Sequence, residues 1–284
     1  MFTPADNKGP DAPVHREASV PPGGPGASFG SGLSIPDFAA CLAMGLQPLG
    51  LVQGFYCGMV SSWSSYSGYP LHNYPCACYE LQAHQTGWIG TVDDLDRAWA
   101  NAYQTALDRM LDEAKQLGAH GVVGVKTEMT HPTNENSCEV HMYGTAVCMQ
   151  GEPPAVHPWS TRLAGQKLAK LVEIGFVPES VGYARCTIMM VEGCNMEQYG
   201  SGRLGSGYVI RPLQEAHEQA RTGAITAARS LRRGASLYDV SLDVHETERY
   251  RSVYITCSLQ GSVVIKAAQT MPIATPVATL NVGR

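Results

Sequence analysis

Residues 91–149 read TVDDLDRAWANAYQTALDRMLDEAKQLGAHGVVGVKTEMTHPTNENSCEVHMYGTAVCM, and the fold is decided here. Thr91 stands where a helix N-cap belongs, and Asp94, three residues on, is placed to reach back to the cap. Apolar residues then recur at Leu95, Trp99, Ala102, Ala106, Met110, Ala114 and Leu117, the period of an α-helix. A second stripe, Trp99, Tyr103, Leu107 and Leu111, widens the apolar face beyond what one sheet covers. Gly118 falls at the left-handed position that ends a helix. The next segment places Val123, Val125, Thr127 and Met129 on one face of a strand. After the polar turn HPTNENS, Cys138–Met149 reads as its hairpin partner.

Working outward, Ile35–Met44 reads as a short apolar helix ending near Gly45, and Leu49–Val60 as a glycine-studded strand. The same order recurs downstream. DFAACLAMGLQPLGLVQGFYCGM aligns with KLAKLVEIGFVPESVGYARCTIM, so that Gly45 matches Gly175 and Pro48 matches Pro178. Leu42 and Leu51 match Val172 and Val181. Further on, Val123, Val125, Gly144, Thr145 and Val147 match Val240, Leu242, Gly261, Ser262 and Val264. Such self-similarity, with a period near 120 residues, marks an internal duplication. The second copy has its own helix, with Pro212 near the first turn and Leu213, Ala216, Ala220, Ala224, Ala227 and Leu231 on one face, stopped by Gly234. Two strands follow: Tyr238, Val240, Leu242 and Val244 alternate in the first, and Val253–Ile265 forms the second.

ALDRMLDEAKQLGAHGVVGV followed by EVHMYGTAV resembles the signature of the YbjQ-like family, a family labelled as heavy-metal binding. The resemblance covers roughly sixty residues. It implies α+β domains of β-α-β-β order, dodecin-like, each an antiparallel sheet with one long helix. It also implies closure into homo-oligomeric rings, typically pentamers. The chain then divides into a Pro/Gly-rich arm over residues 1–32 and a first domain over 33–152 with an insertion at 61–90. A linker at 153–160, a divergent second domain at 161–268 and a tail at 269–284 complete it.

Composition narrows the function. The chain has 284 residues, a net charge of −5 and only 16% charged residues, so it carries no basic footprint for nucleic acid. Its first thirty residues are polar, without the apolar run of a signal peptide. Ile35–Val60 is interrupted by Asp37, Gln47, Pro48 and Gln53, which argues against a membrane span. Nine irregularly spaced cysteines fit reduced thiols in a cytoplasm better than a disulfide framework.

The richest candidate site is the insertion, where His72, Cys76, Cys78 and His84 give the spacing H-x3-C-x-C-x5-H. Two thiolates and two imidazoles make a soft donor set for Zn²⁺ or copper, although C-x-C departs from the usual C-x2-C knuckle. Alternating on one strand face, Cys76 and Cys78 could equally pack as small hydrophobes. A second set comprises interface or channel candidates: Trp99 and Tyr103 on the helix, and Lys126, Glu128, His141 and Tyr143 on the outward strand faces. Asp239, Asp243 and His245 are their counterparts in the second copy. His120 and His217 read as structural histidines. Gly118, Gly121 and Gly124 run helix–glycines–strand, the reverse of a phosphate loop, and read as cap and close-packing residues. No H-E-x-x-H or Cys/His nucleophile context is present.

The sequence therefore leads to a non-enzymatic, ring-forming homo-oligomer that holds a metal or small ligand. One alternative is a metal-free scaffold that contacts protein partners through its tails and the 61–90 loop. The other is a thiol-based sensor or enzyme using Cys76 and Cys78.

Overall fold

The computed structural model describes residues 30–59, 88–130, 137–191, 211–231, 234–249 and 252–267. The arm, the tail, most of the insertion and the 131–136 turn lie outside them. In chain order the elements are α1 (Ile35–Ala43), β1 (Leu46–Met59), β2 (Trp88–Thr91), α2 (Asp93–Gln116), β3 (Gly121–Thr130), β4 (Ser137–Met149) and β5 (Trp159–Ser160). They continue with α3 (Gly165–Glu173), β6 (Phe176–Val191), α4 (Arg211–Ser230), β7 (Ser236–Arg249) and β8 (Ser252–Lys266). The strands form two four-stranded sheets, ordered β1-β4-β3-β5 and β2-β6-β8-β7. Every pairing is antiparallel except the short one between β3 and β5.

Local chemistry explains the elements. Ser34 caps α1 by accepting from the Asp37 N–H, and Gly45 at φ 76° turns the chain out of the helix. Asp93, Asp94 and Asp96 crowd the first turn of α2, where the helix dipole favours negative charge. The expected Thr91 cap is not made. Thr91 is the last residue of β2, opposite Ile188, and Val92 takes the N-cap position without a side-chain bond. Gly118 at φ 75° ends α2 as expected.

The wide apolar face of α2 has two owners. Leu95, Trp99, Ala102, Tyr103, Ala106, Leu107, Met110 and Ala114 are all buried. Part of this surface meets β1 and β4, and part meets Val181, Tyr183 and Met189 of β6. Gly54 lets β1 approach the helix closely, because a Cβ there would collide with the backbone carbonyl of Ala106. The opposite face of β6, with Ala184, Cys186, Ile188 and Met190, packs against the alanine row of α4. The layers are thus first sheet, α2, second sheet, α4. Each large buried side chain contributes about 1.5–3 kcal/mol of transfer free energy, and the α2 layer serves two sheets at once.

Both halves run helix, strand, helix, strand, strand, and their irregularities coincide. Register shifts fall at Pro48/Gly50 in β1 and at Pro178/Ser180 in β6. A second pair falls at Val123/Lys126 in β3 and at Tyr238/Ser241 in β7. Gly124 (φ 63°) and Asp239 (φ 54°) are the left-handed residues within the latter two. These bulges correct the simple alternation read from sequence. Val123 packs with Cys41, Leu46 and Val147, whereas Val125 packs with α2. The register also corrects the alignment: Val123 pairs with Thr145 and Tyr238 with Ser262, so Val125, not Val123, corresponds to Val240.

Candidate functional site

His72, Cys76, Cys78 and His84 lie outside the described residues. Within the described residues, no three His, Cys, Asp or Glu side chains are grouped to hold a metal ion. Nor is any helix there long and apolar enough to cross a membrane. The described cysteines are held in the thiol form. Burial pushes the Cys41 and Cys186 thiols up to about 11 and also raises Cys138, Cys148 and Cys257. The exposed Cys57 is raised by slight desolvation and by the Glu139 carboxylate 3.6 Å from its sulfur. His120 Nδ1 accepts the Met149 N–H at 3.2 Å, while its buried Nε2 has no hydrogen-bond partner among the described residues. Gly121 lies flat against the Trp159 ring, with no room for a side chain.

Trp99 and Tyr103 are not on an outer surface. They lie between α2 and the second sheet of their own chain, which corrects their reading as contacts to another subunit. Tyr103 stacks on Tyr183, with ring centroids 4.7 Å apart and planes 10° from parallel. Burial pushes its hydroxyl up to about 12. The Arg185 guanidinium sits 5.0 Å from the Trp99 ring centroid. Arg185 also donates from Nε to Asp96 Oδ1 at 3.2 Å, with side chains only 9% and 15% exposed. Asp96 accepts further from the Thr187 N–H at 2.8 Å and the Thr187 hydroxyl at 2.6 Å. Burial raises the Asp96 carboxyl above its ordinary range, against the lowering effect of Thr187 and Arg185. No sequence signal joined Asp96 to Arg185, because 89 residues separate them.

The outer face of the first sheet is a different surface. Leu51 and Phe55 of β1 are each 48% exposed there. Phe55 meets His141 edge-on at 6.2 Å, and His141 lies 5.5 Å from Tyr143. The Tyr143 hydroxyl donates to Glu128 at 3.1 Å, and Lys126 Nζ sits 5.9 Å from the Tyr143 ring. An open groove of about 860 Å³ runs from this face to α2 and is lined by Phe55, Arg109, Glu113, Glu128 and His141, among others. At its edge Arg109 donates to the Phe55 carbonyl at 2.6 Å, and Glu113 accepts the Gln53 N–H at 2.7 Å. The sequence reading found the polar members and missed Leu51 and Phe55. A signal existed: Gly50, Gly54 and Gly58 occupy the covered side of β1, while bulky residues occupy the other. Asp243 and His245 are exposed on edge strand β7.

Residues 83–150 match the YbjQ family, described as "Putative heavy-metal-binding". That span runs from before β2 through β4. Of the four candidate ligands it takes in only His84; His72, Cys76 and Cys78 precede it. The chain is 30% identical over 165 residues to the encapsulin nanocompartment protein Rv1762c of Mycobacterium tuberculosis, covering 56% of each protein. It is 45% identical over 47 residues to a UPF0145 protein of Helicobacter hepaticus, covering 16% of this chain and 45% of that one. The chain spans about half the length of these curated relatives.

Proposed function

We propose that the protein is a non-enzymatic, self-assembling component built from two tandem YbjQ-like domains, 33–152 and a divergent 161–268. Its copies associate into a closed ring; a pentamer is the form that the family resemblance implies. One observation carries the reading. The outer face of the first sheet exposes Leu51 and Phe55, while the matching face of the second sheet is buried under α2. Exposed apolar faces of this kind mark protein–protein contacts. The likeness to a nanocompartment protein supports assembly over chemistry. Light scattering and native mass spectrometry of the full chain test it: the expected mass is a whole-number multiple of 30.5 kDa. A monomer at micromolar concentration refutes it.

A second reading, metal binding, is favoured by the H-x3-C-x-C-x5-H spacing beside the segment that matches the family. Plasma mass spectrometry on protein purified without chelator or oxygen tests this. One Zn or Cu per chain, lost in Cys76→Ser/Cys78→Ser, is the expected result. Metal-free protein removes the reading and leaves assembly standing.

A further inference from the structure

We infer that copies join head to tail by repeating, between chains, the interface that already joins the two halves within one chain. The outer face of the first sheet and residues 30–33 of one copy receive β7 and α4 of another. The inference rests on the self-assembly reading and names its surfaces.

The intramolecular interface supplies the template. Thr161 donates its hydroxyl to Ser262 at 3.0 Å, Ser262 Oγ accepts the Arg162 N–H at 3.0 Å, and Thr161 Oγ1 accepts the Leu163 N–H at 3.2 Å. The same triad recurs in the first half. Ser31 bonds Thr145 at 3.3 Å, Thr145 Oγ1 accepts the Gly32 N–H at 3.2 Å, and Ser31 Oγ accepts the Leu33 N–H at 3.2 Å. Residues 31–33 are thus placed on the first sheet as 161–163 are on the second. Residues 161–163 do something more: their backbone is bonded to β3. Thr161 donates to the Val122 carbonyl at 2.9 Å, its own carbonyl accepts the Val125 N–H at 2.9 Å, and Leu163 accepts the Gly124 N–H at 3.0 Å.

The edge of β7 has the same shape and no such occupant. Leu237, Asp239 and Val240 stand where Val122, Gly124 and Val125 stand in β3, with Asp239 holding the left-handed turn of Gly124. Among the described residues no backbone segment pairs with that edge, which is the last strand of its sheet. Among the described residues one such edge and one such leading segment are matched to each other. Residues 30–33 of a second copy fit the other edge, as Thr161–Leu163 fit the first.

Side-chain exposure tells the same story position by position. Val125 is 2% exposed, whereas its counterpart Val240 is 48% exposed. Met129 accepts from Gln260 of the second sheet at 3.5 Å, which marks it as a contact between the halves. Its counterpart Val244 is 45% exposed, and the counterpart of Gln260 is Tyr143 on the outer face. Val181 is 4% exposed and its counterpart Leu51 48%. Each of these three positions covered between the halves thus has an uncovered equivalent on one of the two free surfaces, and the two surfaces are complementary to each other, not to themselves. The association is therefore heterologous and propagates until it closes. One place differs: Gly165 packs directly on the Asp37 carbonyl where α1 meets α3, and its counterpart is Ile35. The intermolecular helix crossing is wider there.

The test uses two full-length variants, Phe55→Lys at the receiving face and Leu242→Lys/Val244→Lys at the donating edge, with circular dichroism confirming that each folds. Each alone should lose association roughly 30-fold or more, as for loss of a hot-spot residue, and run at the mass of a single chain. Mixed in equal amounts, they retain one intact face and one intact edge and should form a dimer that grows no further. Wild-type assemblies whose mass either variant leaves unchanged overturn this interface while self-assembly stands. A mixture that stays monomeric overturns the head-to-tail arrangement. A monomeric wild type removes both readings.

Discussion

Arg185→Met tests the contact between the halves. Methionine keeps an apolar stem of similar length and deletes the guanidinium. Lost with it are the donation to Asp96 at 3.2 Å, those to Thr187 at 3.3 Å and Thr256 at 3.4 Å, and the position over Trp99. Asp96 then remains buried with only its two Thr187 bonds and no compensating cation. Breaking a buried pair in this way costs about 3–5 kcal/mol, of which the cation–π contact accounts for about 0.5–2 kcal/mol. Against a total stability of about 5–15 kcal/mol the loss is large and readable by urea unfolding. The charge itself is the source, so adding Asp96→Asn to Arg185→Met should restore at least half of it. If Arg185→Met costs less than about 1 kcal/mol, or the second substitution deepens the loss, the reasoning fails.

Gly54→Ala places a methyl group against the backbone carbonyl of Ala106, which cannot rotate away, and should lower stability by about 1–3 kcal/mol in thermal unfolding. Gly118→Ala meets no neighbour closer than Pro154 at 3.8 Å, so its cost should be only the left-handed backbone penalty of about 1 kcal/mol. The pH dependence follows from the raised Asp96 carboxyl. A group whose folded-state value lies above 3.8 stabilises fully below that pH and loses its contribution as pH rises through the folded value. Wild type should therefore gain stability relative to Asp96→Asn as the pH falls from neutrality toward 3.8; a constant difference across unfolding titrations would contradict the assignment.

The sequence showed α2 and its two stripes because helical period survives whatever covers it; the stripes' excess width suggests a face for another subunit, whereas the second sheet of the same chain covers it. The glycine stops at 45, 118 and 234 were equally readable, since a left-handed cap has a short list of suitable residues. What escaped was non-local. The two bulges depend on backbone angles at Gly124 and Asp239 that no pattern of apolar residues encodes, and each shifts the alternation by one residue. Thr91 looked like a cap because a cap is a local motif, but pairing with Ile188, far along the chain, claimed it. The outer face was half read: its charges and rings drew attention, while Leu51 and Phe55 looked like ordinary strand hydrophobics until the glycines beside them were seen to occupy the covered side.

The short strand β2 has a mechanical consequence. It precedes α2 in the chain but belongs to the second sheet, while β5, beyond the first hairpin, completes the first. Each half is thereby tied into the other by hydrogen bonds as well as by the peptide chain. A protease cut within the Pro-rich stretch 151–158 would leave two fragments still laced together, migrating as one particle under native conditions and separating only in denaturant. Expressed as two polypeptides, the halves should find each other and reconstitute the whole, whereas either alone would carry an unsatisfied strand edge and a bare helix face. The unit that folds is then the pair.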